Sequence, residues 1–413
     1  MTWRIVVGIG VILAALCLLA YFPFRALPLI SDDYVQIDLA RKFGPVSGWD
    51  ELARDALYRC RATSLVLSYW VDRSFGIGKA FWTVDLLLHV VNCWLIALLG
   101  RWPRLGWQWS VTAAGFFAVY EGHQEAVVWH AAVPELLVFL FCLLAMHAWL
   151  DWIRSGKWWQ YAACWIAFLL ALLSKESGVV VPALLLVVAV VEGRSWKSTI
   201  PMFAIGVVYA GLSFAASRSH LHFNDGTFSL SAPFPVTIVN SLGRMLWFWG
   251  LLAVLSLMAL RSAYRWRLLA MCGVLALICL TPYSFLTYMP RVPSRHTYLA
   301  SAALAVLVGA ALCTARIRFR TATMVVAAMI VAHNCGYLWT RKYDQYLQRA
   351  QPTERLLDWA RTHQGPVWIE CFPYGVDVAW ATLTLHGLRR PEEIVKQRPE
   401  GAVVNQYCDR SNI

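Results

Sequence analysis

Residues 4–24 read RIVVGIGVILAALCLLAYFPF, and a few positions later comes Ser31-Asp32-Asp33-Tyr34-Val35-Gln36-Ile37-Asp38-Leu39-Ala40-Arg41-Lys42-Phe43. The first stretch is long enough to cross roughly 30 Å of hydrocarbon, and its one charge, Arg4, stands at the start. No clear small-x-small cleavage site precedes the acidic run, so the stretch reads as an uncleaved span rather than a signal peptide. The chain thus begins as a membrane protein whose first polar segment carries two adjacent carboxylates.

Similar apolar stretches recur near residues 80–100, 105–120, 133–151, 158–174, 178–192, 200–216, 245–260, 267–288, 297–313 and 321–339. The 413 residues are 59% hydrophobic and 15% charged, with a mean hydropathy of +0.54. A soluble domain carries about 25% charged residues, and a disordered one needs low hydrophobicity; both are excluded. The net charge of +12 invites a nucleic-acid reading, but its distribution answers otherwise. Alternate segments are basic: Arg4; Arg101 and Arg104; Arg154 and Lys157; Arg194 and Lys197; Arg261, Arg265 and Arg267; Arg316, Arg318 and Arg320. Only two acids, Asp151 and Glu192, stand among these 13 basic residues. Basic short loops stay in the cytoplasm. The expectation is an all-α polytopic protein of the cell (inner or plasma) membrane with about 11 transmembrane helices, N-terminus cytoplasmic and C-terminus extracytoplasmic. The charge is an orientation signal, and no nucleic acid is needed.

The organisation follows. Residues 1–340 form the membrane part, with a helical first outer loop over 25–79, and residues 341–413 form a small extracytoplasmic α/β segment. In that tail Glu354–His363 and Val376–Leu388 read as helices, Val367–Cys371 and Ala402–Tyr407 as strands. An oxidising exterior would permit a Cys371–Cys408 bridge. Cys17, Cys93, Cys142, Cys164, Cys272, Cys279, Cys313 and Cys335 fall in or against spans and read as small apolar packers. For Trp129 and Trp70, packing or an aromatic belt competes with stacking on a sugar.

Two adjacent carboxylates repel, which raises one pKa and suits it to take a proton from a hydroxyl. The same pair equally suits a helix N-terminus. Further along the same predicted face stand His123-Gln124-Glu125-Ala126, Pro134-Glu135-Leu136-Leu137, Leu173-Ser174-Lys175-Glu176, Arg291 and Ser294-Arg295-His296-Thr297-Tyr298. Carboxylates with Lys and Arg from other loops are what chemistry with a phosphate leaving group requires; solvated loop charges are the plain alternative. In-span ionisable groups are costly and so draw attention. Asp85 and His89, four apart on one face, could satisfy each other. His123 and His130 lack a zinc-site spacing.

Taken in order, these motifs resemble the membrane-embedded GT-C glycosyltransferases that use polyprenyl-phosphate sugars. The likeness is greatest to the protein O-mannosyltransferase-like branch, including the transmembrane-and-tetratricopeptide enzymes, though no repeat array follows the last span here. Asp32-Asp33 with Ala40-Arg41-Lys42-Phe43 looks like the family's first-loop motif. Arg61, Phe75-Gly76-Ile77-Gly78, Leu86-Leu87-Leu88-His89-Val90-Val91-Asn92, His123-Gln124-Glu125-Ala126, Ser174-Lys175-Glu176 and Ser294-Arg295-His296-Thr297-Tyr298-Leu299-Ala300-Ser301 follow in family order.

The resemblance implies a GT-C fold and an inverting transfer of a hexose, mannose-like, from a polyprenyl-phosphate donor to a hydroxyl of a protein, glycan or lipid. It implies Asp32 as general base with Asp33 beside it. Arg295, Lys175, Arg61 and Arg291 would hold the donor phosphate, and His123, Glu125, Glu176 and His89 would support substrate. No cofactor is certain and a divalent cation stays optional. The rival readings are a transporter or flippase of lipid-linked or small solutes, which would show repeats and mid-membrane broken helices, and a non-catalytic envelope scaffold.

Overall fold

The computed structural model describes residues 2–44, 56–215, 229–286, 292–395 and 404–408. Among them, six helices are long and apolar enough to cross a membrane: Trp3–Ala26, Ala80–Arg101, His130–Ser155, Arg265–Phe285, Ser301–Arg318 and Arg320–Thr362. Each overlaps one of the apolar stretches picked from sequence, and four contain theirs whole. The remaining stretches fold as shorter apolar helices, Gly106–Val119, Trp158–Leu172, Val181–Val191 and Ile200–Ala215, or within a pair bent by 75°, Phe234–Leu246 and Trp249–Ala259. By length, then, six helices can cross, or seven if the bent pair is one span. At about 1.5 Å per residue the shorter helices, as far as they are described, fall below the hydrocarbon thickness.

Local sequence sets the helix ends. Pro134 and Pro182 sit in the first turns of their helices, where a missing N–H costs nothing. Gly156 closes the His130–Ser155 helix in the left-handed conformation. Small residues let helices approach. A Cβ on Gly309 would lie 2.8 Å from both the Ala113 nitrogen and the Trp109 carbonyl oxygen, so the Ser301–Arg318 and Gly106–Val119 backbones touch there.

The charged loops gather at two ends of the bundle. At one, Arg104 pairs with Glu192 at 2.8 Å and Arg101 with Asp151 at 3.9 Å, so the two acids of the basic loops are neutralised by those loops. The Ala80–Arg101 and His130–Ser155 helices start at the opposite end, beside Asp33 and the other acidic residues.

The Arg320–Thr362 helix runs unbroken past residue 340, with one π-helical turn at Leu338–Lys342. Beyond it, strands Val367–Ile369, Ile394–Val395 and Asn405–Tyr407 form a parallel sheet with Val367–Ile369 in the middle. Sequence alone missed the two-residue strand. Cys371 and Cys408 form a disulfide. The Val376–Leu385 helix lays Ala381 and Leu385 against Tyr34, Ile37, Val71 and Phe81, so the tail packs directly on the first loop. Among the described residues the loop helices are Asp33–Phe43 and Ala56–Phe75, clipped together by Arg41 and Asp72 at 2.6 Å.

Gly309→Leu should lower stability in detergent by about 1–3 kcal/mol through overpacking. Gly8→Leu, with nothing within 4 Å of its Cβ, should melt like the wild type. Equal melting temperatures for both variants would contradict the close approach.

Candidate functional site

The acidic pair divides its labour. Asp33 is buried, and its carboxylate accepts the Ile30 N–H at 2.8 Å and the Ala131 N–H at 2.7 Å. It therefore staples the first loop to the start of the His130–Ser155 helix. Burial pushes its pKa up to about 7, against the pull of His130 and the two N–H bonds. Repulsion by Asp32, the cause suggested by sequence, is not the source. Asp32 is exposed at the N-terminus of the Asp33–Phe43 helix, with the Ser31 hydroxyl donating to it at 3.1 Å. Ser31 is held at φ 50°, an uncommon conformation for a residue with a side chain, just before the pair.

Trp129 joins this loop to the cations. Its indole N–H donates to the Ile30 carbonyl at 3.2 Å. The Arg295 guanidinium lies 4.9 Å from its ring centroid and that of Arg349 4.7 Å. Glu125 accepts the Arg295 backbone N–H at 3.0 Å and stands 3.8 Å from its guanidinium. Asp33, Trp129, Glu125 and Arg295 thus form one connected corner. Trp129 is buried with cations on its ring, so its role here is packing and cation–π contact. Trp70 is more than half exposed.

A second cluster takes up other candidates. Glu135, buried, binds Lys175 through one oxygen, which also lies 2.5 Å from His296 Nδ1; its other oxygen accepts the Tyr283 hydroxyl at 2.7 Å. Burial lowers Lys175 to about 8, despite Glu135. Burial and the Lys175 charge lower His296 to about 3, so its ring is neutral. The Lys175 charge is therefore already matched, and this lysine does not present itself to a phosphate. Arg61 stands 3.8 Å from Glu176, next to this cluster. Since His296 follows Arg295 in one short turn, the two clusters adjoin.

Other expected residues turn inward. His89 Nε2 faces the Ala118 carbonyl at 3.3 Å and its Nδ1 meets the Tyr298 hydroxyl at 2.7 Å. It does not pair with Asp85, which lies 3.0 Å from His130 instead; His130 also meets Ser68 at 2.9 Å. His123 donates to the Phe117 carbonyl at 3.0 Å and meets Ser301 at 2.6 Å. Burial holds its pKa well down. Both are core residues below the site. Arg291 lies outside the described residues. For a divalent ion, Asp32, Asp33 and Glu125 do not converge. Among the described residues only Cys17, His89 and Cys93 bring three such ligand atoms within 4.8 Å, deep in the bundle.

No protein-family model matches the chain, and no curated protein matches it significantly. Solved structures do match. The fold is similar to that of ArnT from Cupriavidus metallidurans. The apo structure of that protein aligns with a TM-score of 0.53 over 92% of this chain and 84% of its own, at 16% identity. Its structure bound to undecaprenyl phosphate gives 0.48 over 92% and 75%, again at 16% identity. The likeness is one of fold alone.

Sequence reasoning missed Arg349 and underrated Glu135. The signal for Glu135 was an acid in the first turn of an apolar helix, which needs a buried partner. Nothing local marked Arg349.

Two measurements check these assignments. Because the folded pKa of Asp33 exceeds the ordinary carboxyl value of 3.8, its contribution to stability is full below about pH 4 and is lost as pH rises through about 7. Asp33→Asn should flatten that decline in melting temperature between pH 4 and 8; identical pH slopes would refute it. Glu135→Gln leaves a buried lysine unmatched and should cost about 3–5 kcal/mol, read as thermal stability in the same detergent.

Proposed function

We propose that the protein is an integral membrane glycosyltransferase of the O-mannosyltransferase-like branch. It moves a hexose, mannose-like, from a polyprenyl-phosphate sugar to an acceptor hydroxyl of a protein, glycan or lipid on the extracytoplasmic side. The observation that carries this reading is the corner where the buried Asp33, Glu125 and Arg295 are brought together around Trp129, with the exposed Asp32 next to Asp33 in the chain, in a protein with an ArnT-like fold. The alternating loop charges support a cytoplasmic N-terminus and an extracytoplasmic C-terminus. We assign residues 1–340 to the catalytic membrane part and 341–413 to a C-terminal segment that helps to build the site.

In the proposed reaction the Asp32 carboxylate takes the proton of the acceptor hydroxyl as its oxygen attacks the anomeric carbon in line. The bond from that carbon to the phosphate oxygen breaks, and its electron pair leaves with the polyprenyl phosphate. The configuration inverts. Arg295 offsets the charge that develops on the phosphate, and Arg61, with its carboxylate neighbour Glu176, stands further back. Asp33 fixes the loop and so the position of Asp32. Glu125 orients Arg295.

The transporter reading gains one observation, the pair of helices bent by 75° at residues 246–249. The carboxylates and cations of the site are not gathered there, and the enzyme reading is preferred.

Asp32→Asn should reduce transfer from a polyprenyl-phosphate hexose by about 10²- to 10⁴-fold, the usual worth of a general base, with an unchanged melting temperature. The assay uses membranes of a deletion strain, with mass spectrometry of proteins, glycans and lipids. Undiminished transfer by a folded variant would remove Asp32 from this role.

A further inference from the structure

The C-terminal helix brings a cation to the site that no motif announces. Arg349 lies on the Tyr343–Thr362 helix, two turns beyond the π-helical turn. Its guanidinium shares the Trp129 ring with that of Arg295, at 4.7 and 4.9 Å from the centroid. Two like charges on one indole repel, and of the two only Arg295 has a carboxylate close by, Glu125 at 3.8 Å. Among the described residues no carboxylate lies within 4 Å of the Arg349 guanidinium. Arg349 is thus held against the ring without an ion-pair partner of its own among the described residues.

A second observation is independent of charge. Tyr346, one turn before Arg349, is almost wholly buried, and its hydroxyl has no hydrogen-bond partner among the described residues. The Arg349 guanidinium lies 5.3 Å from the centroid of its ring, and the charges of Glu125, Arg349, Arg295 and Asp33 all act on it. A buried hydroxyl without a partner costs about 1–3 kcal/mol, and such a group needs an explanation. Two guanidiniums offer only N–H donors, and the phenol adds an O–H that can donate. The matching ligand is an anion with several acceptor oxygens, and guanidinium forks match phosphate geometry.

Access decides where the phosphate comes from. Phe24, at the end of the first helix, packs against Tyr343 and Tyr346 with ring centroids 6.0 Å away in each case. That helix is only 22% buried in its apolar window and exposes Leu18, Leu19 and Phe22 at the same end. A bilayer lipid lying along it would bring its headgroup to Tyr346 and Arg349.

We propose that Arg349 and Arg295, together on Trp129, form a single site for the phosphate of a lipid-linked ligand, with the Tyr346 hydroxyl as a third donor. The C-terminal helix is then part of the donor site. The inference rests on the polyprenyl-phosphate reading above. It adds to that reading two binding residues and a reason for the tail to dock on the first loop.

The test is equilibrium binding to the purified full-length protein in detergent, with a labelled long-chain polyprenyl phosphate as probe. Polyprenol without phosphate and inorganic phosphate serve as competitors. Arg349→Ala should weaken binding about 10- to 100-fold, the worth of one or two hydrogen bonds to a charged group; Arg349→Lys should restore part of it. Tyr346→Phe should weaken it severalfold with no loss of thermal stability, since it removes only the unpartnered hydroxyl. Neither competitor should displace the probe at comparable concentration.

If Arg295→Ala weakens binding while Arg349→Ala and Arg349→Lys bind like the wild type, the inference fails and the donor reading stands. A wild type that does not bind polyprenyl phosphate overturns both. Inorganic phosphate competing as well as the lipid would overturn the lipid source. Should Arg349→Ala not fold, Arg349→Lys and Tyr346→Phe carry the same comparison.

Discussion

Everything around the candidate site hangs on the Asp33 carboxylate and the two backbone N–H groups it accepts, those of Ile30 and Ala131. One contact belongs to the loop that leaves the first span, the other to the start of the His130–Ser155 helix. Between them sits Trp129, whose indole N–H returns to the Ile30 carbonyl. A buried carboxylate is expensive unless hydrogen bonded, and here both oxygens are engaged. The bonds therefore specify one loop conformation rather than several. Asp32, one residue earlier, inherits a fixed position from a buried neighbour.

The Glu135 cluster works by the same logic one layer deeper. Its carboxylate gathers Lys175, His296 and Tyr283, which come from widely separated parts of the chain. Association between helices in a membrane has little hydrophobic drive, because lipid tails are as apolar as leucine. A charge pair with satisfied hydrogen bonds supplies direction where apolar packing cannot. It also fixes the short turn that carries Arg295. The lysine that looks like a phosphate ligand in sequence is better understood as the strut behind the arginine that is proposed to act as one.

The fold was legible to the extent that it depends on hydrophobic runs and loop charge. Residues 4–24, 80–100 and 133–151 read as spans and form helices long enough to cross. Stretches such as 105–120 and 158–174 were apolar too, yet their helices are short, because hydropathy does not report where a helix ends inside a packed bundle. At the site, motifs located Asp32, Asp33, Glu125 and Arg295, all within a few residues of a span end. They did not separate the exposed aspartate from the buried one, because burial is set by Ile30 and Ala131, just over 100 positions apart. Nor did they pair Asp85 with His130, since His89 stood nearer in sequence. Arg349 was illegible for the same reason: its partner Trp129 is 220 residues away, and only the fold brings them together.

That separation bears on why the tail exists. A reaction whose leaving group is a lipid phosphate needs cations at the membrane surface, where bulk water screens them and weakens each contact. Seating the Val376–Leu385 helix on Tyr34, Ile37, Val71 and Phe81, and running the preceding helix past Trp129, covers that corner with protein. The disulfide between Cys371 and Cys408 then ties the strand-bearing part of the tail to itself. The short appendage has a small core of its own, built on Leu356, Val367, Ile369 and Leu383, and adds to it the packing of Ala381 and Leu385 on the first loop. In return it lowers the effective dielectric around the two guanidiniums that the proposed chemistry depends on. On this view the C-terminal segment is the roof of the site, held both by its own small core and by the face it turns to the membrane part.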